Sequence, residues 1–192
     1  NVEPDFAIKT DASKIKKIKV SGNGKYFIGI EDNIAILRDA KTTDMLARYF
    51  SRKTLLDCDL STDGYSVALP LDGYNVSVFL RLILTKKVLS KKMLSNQNQI
   101  YSVDFNDNSK KLLIASTDNT ITLWDYTQQK MLYKCQFYAE SLIPSVFNKE
   151  GNLYLRSIDQ NTVEIVDYEV INDTYTEKSI VKIVDMDCPV TD

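Results

Sequence analysis

The sequence predicts an all-β protein assembled from repeated four-stranded antiparallel units. Three observations carry this expectation. First, the stretch 99–137, QIYSVDFNDNSKKLLIASTDNTITLWDYTQQKMLYKCQF, holds four β-type runs at 100–105, 111–116, 120–126 and 131–137. Each run has the length of a strand, and polar turn formers fill the gaps. Second, two independent markers repeat. The turn between the first two runs places Asn23, Asp63, Asn108 and Glu150 at intervals of 40, 45 and 42 residues. The end of the third run places Arg38, Phe79, Trp124 and Val166 at intervals of 41, 45 and 42. Two markers that drift together identify a true internal repeat. Third, an Asp-led turn precedes each third run: Asp32-Asn33, Asp72-Gly73, Asp118-Asn119 and Asp159-Gln160. Asp and Asn bond nearby backbone and tolerate left-handed dihedrals, and Gly carries no Cβ penalty there.

In chain order, residues 6–9 fit the outer strand of a preceding unit, with Pro4 and acidic neighbours suited to an exposed edge. The first unit, 14–50, has runs at 16–20, 26–30, 34–37 and 45–50. Its lysines Lys14, Lys16, Lys17 and Lys19 read as a solvated face, with a basic binding rim as the alternative. The second unit, 55–94, has runs at 55–60, 65–69, 75–84 and 87–94; its long apolar third run suggests a hairpin extension. The third unit is 99–137. The fourth, 142–180, has runs at 142–147, 153–157 and 162–168, then a less regular link through Asn172-Asp173. The tail 183–192, IVDMDCPVTD, aligns with 55–64, LLDCDLSTDG. Asp185 falls on Asp57, Asp187 on Asp59 and Asp192 on Asp63, so a fifth unit starts there.

A period of about 40 to 45 residues, four strands per unit and a Trp-Asp dipeptide resemble the WD-repeat β-propeller family. A generic antiparallel sandwich needs no repeat this regular. The likeness covers nearly the whole chain as a pattern, but only the third unit has the dipeptide, at Trp124-Asp125. Asp39 and Asp167 persist behind Arg38 and Val166, while Phe79-Leu80 keeps neither residue. Family members also carry Gly-His before the first strand. This chain has no His, so the family's His–Asp–Ser/Thr–Trp network does not form in its usual way. Ser116, Asp118 and Trp124 match three of its four positions. Blades hide their flanks against neighbours, so about four blades with a leading outer strand and a trailing inner one imply an arc of a larger propeller. That ring would hold roughly six to eight blades, the rest coming from the same or another chain. A closed four-bladed ring is the alternative.

Composition narrows the function. A chain of 192 residues, 44% apolar and 26% charged, reads as one compact domain. A net charge of −2 argues against broad attraction to nucleic acid or anionic membrane. The apolar stretch 76–84 is broken by Arg81 and too short to span a bilayer. No leader pattern opens the chain, and a start at Asn1 leads to the expectation of processing or truncation ahead of it. Cys58, Cys135 and Cys188 lie apart without CxxC spacing, so a zinc site is not expected. They read as small buried hydrophobes in a reducing compartment, which places the protein inside the cell, in cytoplasm or nucleus.

No catalytic, cofactor-binding or metal-binding residues are expected. Without His, Ser–His–Asp, Cys–His and HExxH arrangements are excluded within this chain. Neither a Walker loop nor a GxGxxG loop occurs, and Gly22-Asn23-Gly24 is a strand-connecting turn. The Asp-turns recur once per unit, as structural turns do, and no calcium loop is present. Asp57 with Asp59, and Asp185 with Asp187, put two carboxylates on one strand face, a pattern that caps blade edges. Most aromatics lie on strands and fill blade-to-blade contacts. The resemblance implies a non-enzymatic platform that binds proteins or peptides through loops at one end of the channel. Those loops hold Arg52, Lys53, Asp72, Tyr74, Asn96, Gln97, Asp118, Asn119, Tyr138 and Glu140. Two other readings stay open: a non-catalytic propeller domain of a larger enzyme, and a structural subunit of a large assembly such as a ciliary, trafficking or RNA-processing complex.

Overall fold

The computed structural model describes residues 15–73, 75–82, 87–95, 98–106, 110–136, 145–148, 152–159, 162–171 and 174–183. Among them, four antiparallel sheets of four strands follow one another along the chain. The first sheet is β1 (Ile15–Val20), β2 (Tyr26–Glu31), β3 (Ile34–Asp39) and β4 (Met45–Phe50). The second is β5 (Asp59–Leu60), β6 (Ser66–Leu69), β7 (Asn75–Leu82) and β8 (Lys87–Ser95). The third is β9 (Ile100–Phe105), β10 (Lys111–Ser116), β11 (Thr120–Asp125) and β12 (Lys130–Gln136). The fourth is β13 (Val146–Phe147), β14 (Leu153–Asp159), β15 (Thr162–Ile171) and β16 (Thr174–Ile183). Within each sheet the spatial order equals the chain order, so every strand pairs with its sequence neighbour.

Local chemistry makes each hairpin. In the β3–β4 turn, Asp39 Oδ1 accepts the Lys41 and Thr42 amides at 2.8 and 2.9 Å. In the β11–β12 turn, Asp125 Oδ1 accepts the Thr127 and Gln128 amides at 2.9 and 3.0 Å. In the first and third units the Asp that ends the third strand is therefore a turn clamp, whereas Asp167 lies within β15 and stands opposite Lys178. Arg38 fills the Trp slot of the first sheet and donates to the Thr43 carbonyl at 2.9 Å, bracing the same turn.

The core lies between the sheets. One flank of the first sheet, with Tyr26, Ile28, Ile30 and Leu37, packs on Leu55, Leu60, Val67 and Phe79 of the second unit. The other flank of the second sheet, with Ala68, Val76 and Val78, packs on Val103, Phe105, Leu112 and Ile114 of the third. The third sheet's far flank, with Leu113, Ala115, Ile121 and Leu123, packs on Tyr154, Val166 and Tyr168. Aromatic pairs bridge two of these joints: Tyr49 lies 4.7 Å from Phe79, and Tyr133 stacks on Tyr175 at 4.0 Å. Alternation along a strand gives each sheet two apolar flanks, one for each neighbour.

Several expectations change. The run at 55–60 pairs only through Asp59–Leu60. Upstream, Leu55 and Cys58 are buried, and Asp57 takes the Cys58 amide onto its own carboxylate, so the backbone leaves the ladder. The run at 142–147 is a described strand only at Val146–Phe147; residues 137–144 lie outside the described residues. β7 ends at Leu82, and the expected extension at 83–86 lies outside them too. The irregular link after 168 is corrected. β15 runs on to Ile171 and pairs with β16 from Val163↔Ile183 to Ile171↔Thr174. The β-branched and aromatic residues of both strands favour this long ladder, and residues 172 and 173 lie outside the described residues. Residues 1–14 and 184–192, with the expected leading strand, Lys14, Cys188 and the fifth-unit start, lie outside the described residues.

Candidate functional site

One end of the first three sheets gathers the described Asp-turns, at Asp32-Asn33, Asp72-Gly73 and Asp118-Asn119, and the link from β4 to β5. Asp32 and Asn119 adopt left-handed φ values of 53° and 59°. Gly73 does the same at 83°. These turns are tied to the links around them. Ser51 N–H donates to the Asn33 carbonyl at 2.8 Å, and Leu55 N–H to the Asp32 carbonyl at 2.9 Å. Arg52 N–H donates to Leu71 at 3.0 Å, and Ile100 N–H to Gly73 at 2.7 Å. Thr117 N–H closes onto the Gln99 carbonyl at 2.8 Å. The result is a continuous hydrogen-bonded rim running across three sheets.

A polar cavity of about 520 Å³ opens on this rim, lined by Asp32, Asn33, Arg52, Lys53, Thr54 and Gln99. Of the ten loop residues named from sequence, Arg52 and Lys53 line it. Asp72 is a turn former: its two carboxylate oxygens accept the Asn75 amide at 2.7 Å and the Asn75 side chain at 2.6 Å. Asp118 Oδ1 accepts the Thr120 amide and hydroxyl, and Asn119 supplies the left-handed turn residue. Tyr74, Asn96, Gln97, Tyr138 and Glu140 lie outside the described residues. Thr54 and Gln99 escaped the sequence reading. Their only signal was adjacency to a link, which does not say which residues turn toward the cavity.

In the third unit Asp118 and Trp124 each find a partner without His. Asn98, two residues before β9, donates to Asp118 Oδ2 at 2.7 Å. A carboxamide thus serves Asp118 from just ahead of the first strand. Trp124 Nε1 donates to Thr122 Oγ1 at 3.1 Å, on its own strand.

Charge collects on the innermost strands. Lys17 Nζ pairs with Asp57 at 3.1 Å. Lys19 Nζ lies 4.0 Å from Asp59 and 3.9 Å from Asp104. Lys17 and Lys19 are therefore partners of buried acids rather than a free basic rim or a solvated face, while Lys16 stays exposed beside Asp32. Asp57 Oδ2 accepts the Val103 amide at 2.9 Å, and Asp59 Oδ2 the Phe105 amide at 2.7 Å. The expectation that this acid pair caps a sheet edge holds. Burial raises the pKa of Asp59, helped by the charge of Asp104 and opposed by Lys19 and the Phe105 amide. Burial likewise raises Asp104 against the Phe147 amide and Lys19. Burial lowers the pKa of Lys19, but Asp59, Asp57 and Asp104 outweigh it and the net shift is upward. Burial also pushes the Cys58 thiol far up, so it is an inert apolar filler. Cys135 is only half-buried, unlike the expectation, with Arg156 Nη1 at 3.5 Å. Among the described residues no His, Cys, Asp or Glu group is arranged to hold a metal, and no helix is long and apolar enough to cross a membrane.

No protein-family model and no curated protein matches the sequence. The fold does find a counterpart. The chain superposes on the β-propeller domain of Cps50 (Swd1) from Myceliophteria thermophila with a TM-score of 0.74 over 89% of its length. The sheets are β-propeller blades. Identity over that match is 12%, so the likeness is one of fold. The match covers 60% of that chain, and among the described residues four blades follow one another.

Proposed function

We propose that this chain is part of a non-enzymatic WD-repeat scaffold that binds a protein or peptide through the rim bearing Arg52 and Lys53. The observation that carries the reading is the polar cavity held by hydrogen-bonded turns on stiff sheets. A rim already fixed by its own backbone binds with little ordering cost. Arg52, Lys53 and Thr54 are exposed, while the acidic lining residue Asp32 already pairs with Lys16 at 3.1 Å. Arg52 and Lys53 make one side of the cavity cationic, which favours an acidic segment. The WD-repeat assignment rests on the repeat and on Trp124-Asp125. Placement in cytoplasm or nucleus rests on the isolated cysteines.

The test is a peptide array probed with the wild-type chain and with an Arg52→Glu/Lys53→Glu variant. The reading expects binding to acidic peptides that falls at least about tenfold in the variant, with the melting temperature unchanged. Equal binding by both chains removes this rim from the interface.

A further inference from the structure

The hairpins that join third and fourth strands come in two forms. In the first and third sheets the third strand stops at Asp39 and Asp125, which clamp tight turns. In the second and fourth the ladder runs on. β7 and β8 pair through Arg81↔Val88 and Leu82↔Lys87, past the β6 partner at Ser66↔Leu80. β15 and β16 go further. The β14 ladder ends at Leu153↔Asp167, and four more pairs follow, from Tyr168↔Glu177 to Ile171↔Thr174. Successive hairpin turns of a sheet lie at alternate ends, so this β-ribbon projects at the end opposite the rim.

The base of the ribbon is fixed. Tyr175 stacks on Tyr133 of the third blade at 4.0 Å, and its hydroxyl lies 2.9 Å from that of Tyr154. Tyr168 N–H donates to the Asn152 carbonyl at 3.3 Å. Alternate residues of a strand turn their backbone groups to the same side, so the Val170 N–H and carbonyl point along that same edge. Among the described residues no strand pairs with β15 there. An open strand edge is a template for an added strand. A cavity of about 630 Å³ lies against it, lined by Asn152, Asp167, Tyr168, Glu169, Thr176 and Lys178. Its two carboxylates and one ammonium belong to exposed residues. None of the described ion pairs uses Asp167 or Glu169.

We infer that the free edge of β15 docks an extended basic segment of a partner protein, which pairs with the Val170 backbone and sets a Lys or Arg side chain against Asp167 and Glu169. The open edge selects an extended chain rather than a helix, because only a strand matches its row of backbone groups. The excess of carboxylates over ammonium selects its charge. Ile171, exposed at the last pair, adds an apolar contact. A ribbon braced by stacked rings binds with less ordering cost than a loose hairpin. This surface lies at the other end of the sheets from Arg52 and Lys53 and is independent of what the rim binds.

The experiment is an array of extended peptides of about six residues that alternate Lys or Arg with Val, Ile or Thr, beside copies with Glu at the basic positions. Binding by the full-length protein is compared with binding by its Val170→Pro, Asp167→Lys/Glu169→Lys and Arg52→Glu/Lys53→Glu variants. Pro removes the edge donor and leaves the ladder to β16 whole, because the Val170 amide does not face β16. Basic peptides are expected to bind, with affinity at least about tenfold lower in the first two variants and unchanged in the rim variant. Should Val170→Pro not fold, N-methylation of each set of alternate peptide amides in turn tests the same pairing, and one set should cost at least about tenfold. Several results overturn the inference: no basic peptide binds, the Glu copies bind equally, or the rim variant loses the binding. So does binding kept by a folded Val170→Pro protein or by both N-methylated sets. A peptide-free dimer that Val170→Pro dissolves would assign the edge to a second copy of the chain and overturn it as well.

Discussion

Removing the Asp57 carboxylate should be among the most damaging single changes in this chain. Asp57 is 1% exposed, and one oxygen accepts the Cys58 amide at 2.8 Å while the other accepts the Val103 amide at 2.9 Å. Lys17 sits 3.1 Å away with a quarter of its side chain in solvent. Asp57→Ala leaves two buried amides without acceptors, at about 1–3 kcal/mol each. Lys17 can turn toward water, so its loss adds little. The expected sum is about 2–6 kcal/mol, against about 5–15 kcal/mol of total stability for a typical domain. Asp57→Asn keeps one good acceptor and should cost roughly half as much. Urea melts of both variants, with Val103 amide exchange as the local readout, provide the assay. A Lys17→Met/Asp57→Ala cycle isolates the ion pair, whose coupling should stay below about 1 kcal/mol. Asp57→Ala within about 0.5 kcal/mol of wild type, or Ala and Asn variants of equal stability, would refute the clamp.

Two further outcomes follow from the same joints. Gly64 has φ of 74°, and a Cβ there would sit 2.3 Å from Tyr26 Cδ2, a buried ring in the first joint. Gly64→Ala should therefore cost about 2–4 kcal/mol by thermal melt, with Gly29→Ala as a near-neutral control. The pH response of Asp59 also has a definite sign. Its folded pKa is raised from 3.8 to about 7, so the folded state binds the proton more tightly than the unfolded chain. That contribution is fully present below the ordinary carboxylate pKa and is lost as pH rises through about 7. Stability should fall across this window by at most about 1.4 kcal/mol per pH unit per proton, and Asp59→Asn should flatten the slope. An unchanged slope would show that Asp59 is ionised throughout.

The strand pattern was legible because each strand announces itself locally. Alternation in YFIGIE places Tyr26, Ile28 and Ile30 on one face, and the turn residues Asp32, Gly73 and Asn119 take the left-handed φ their chemistry permits. The Asp59 and Asp57 pair was read as an edge cap for the same reason, since period two fixes both carboxylates to one side. Lys17 and Lys19 were misread because their partners, Asp57, Asp59 and Asp104, lie roughly 40 to 85 residues away and meet them only when blades stack. The pocket lining beyond Arg52 and Lys53 was hidden for a related cause. Thr54 and Gln99 come from different units, and no local rule brings them to one cavity.

Composition, spacing and turn chemistry alone settled the repeat, the four-stranded unit and the absence of any His-dependent catalytic constellation within these residues. Each of those depends on interactions within a few residues or within one hairpin. Which carboxylate meets which amide and which lysine is neutralised were decided only by the stacking of one blade on the next. Those contacts span a whole repeat, and their energies come from burial and from satisfying inner-strand amides that no single blade can satisfy for itself.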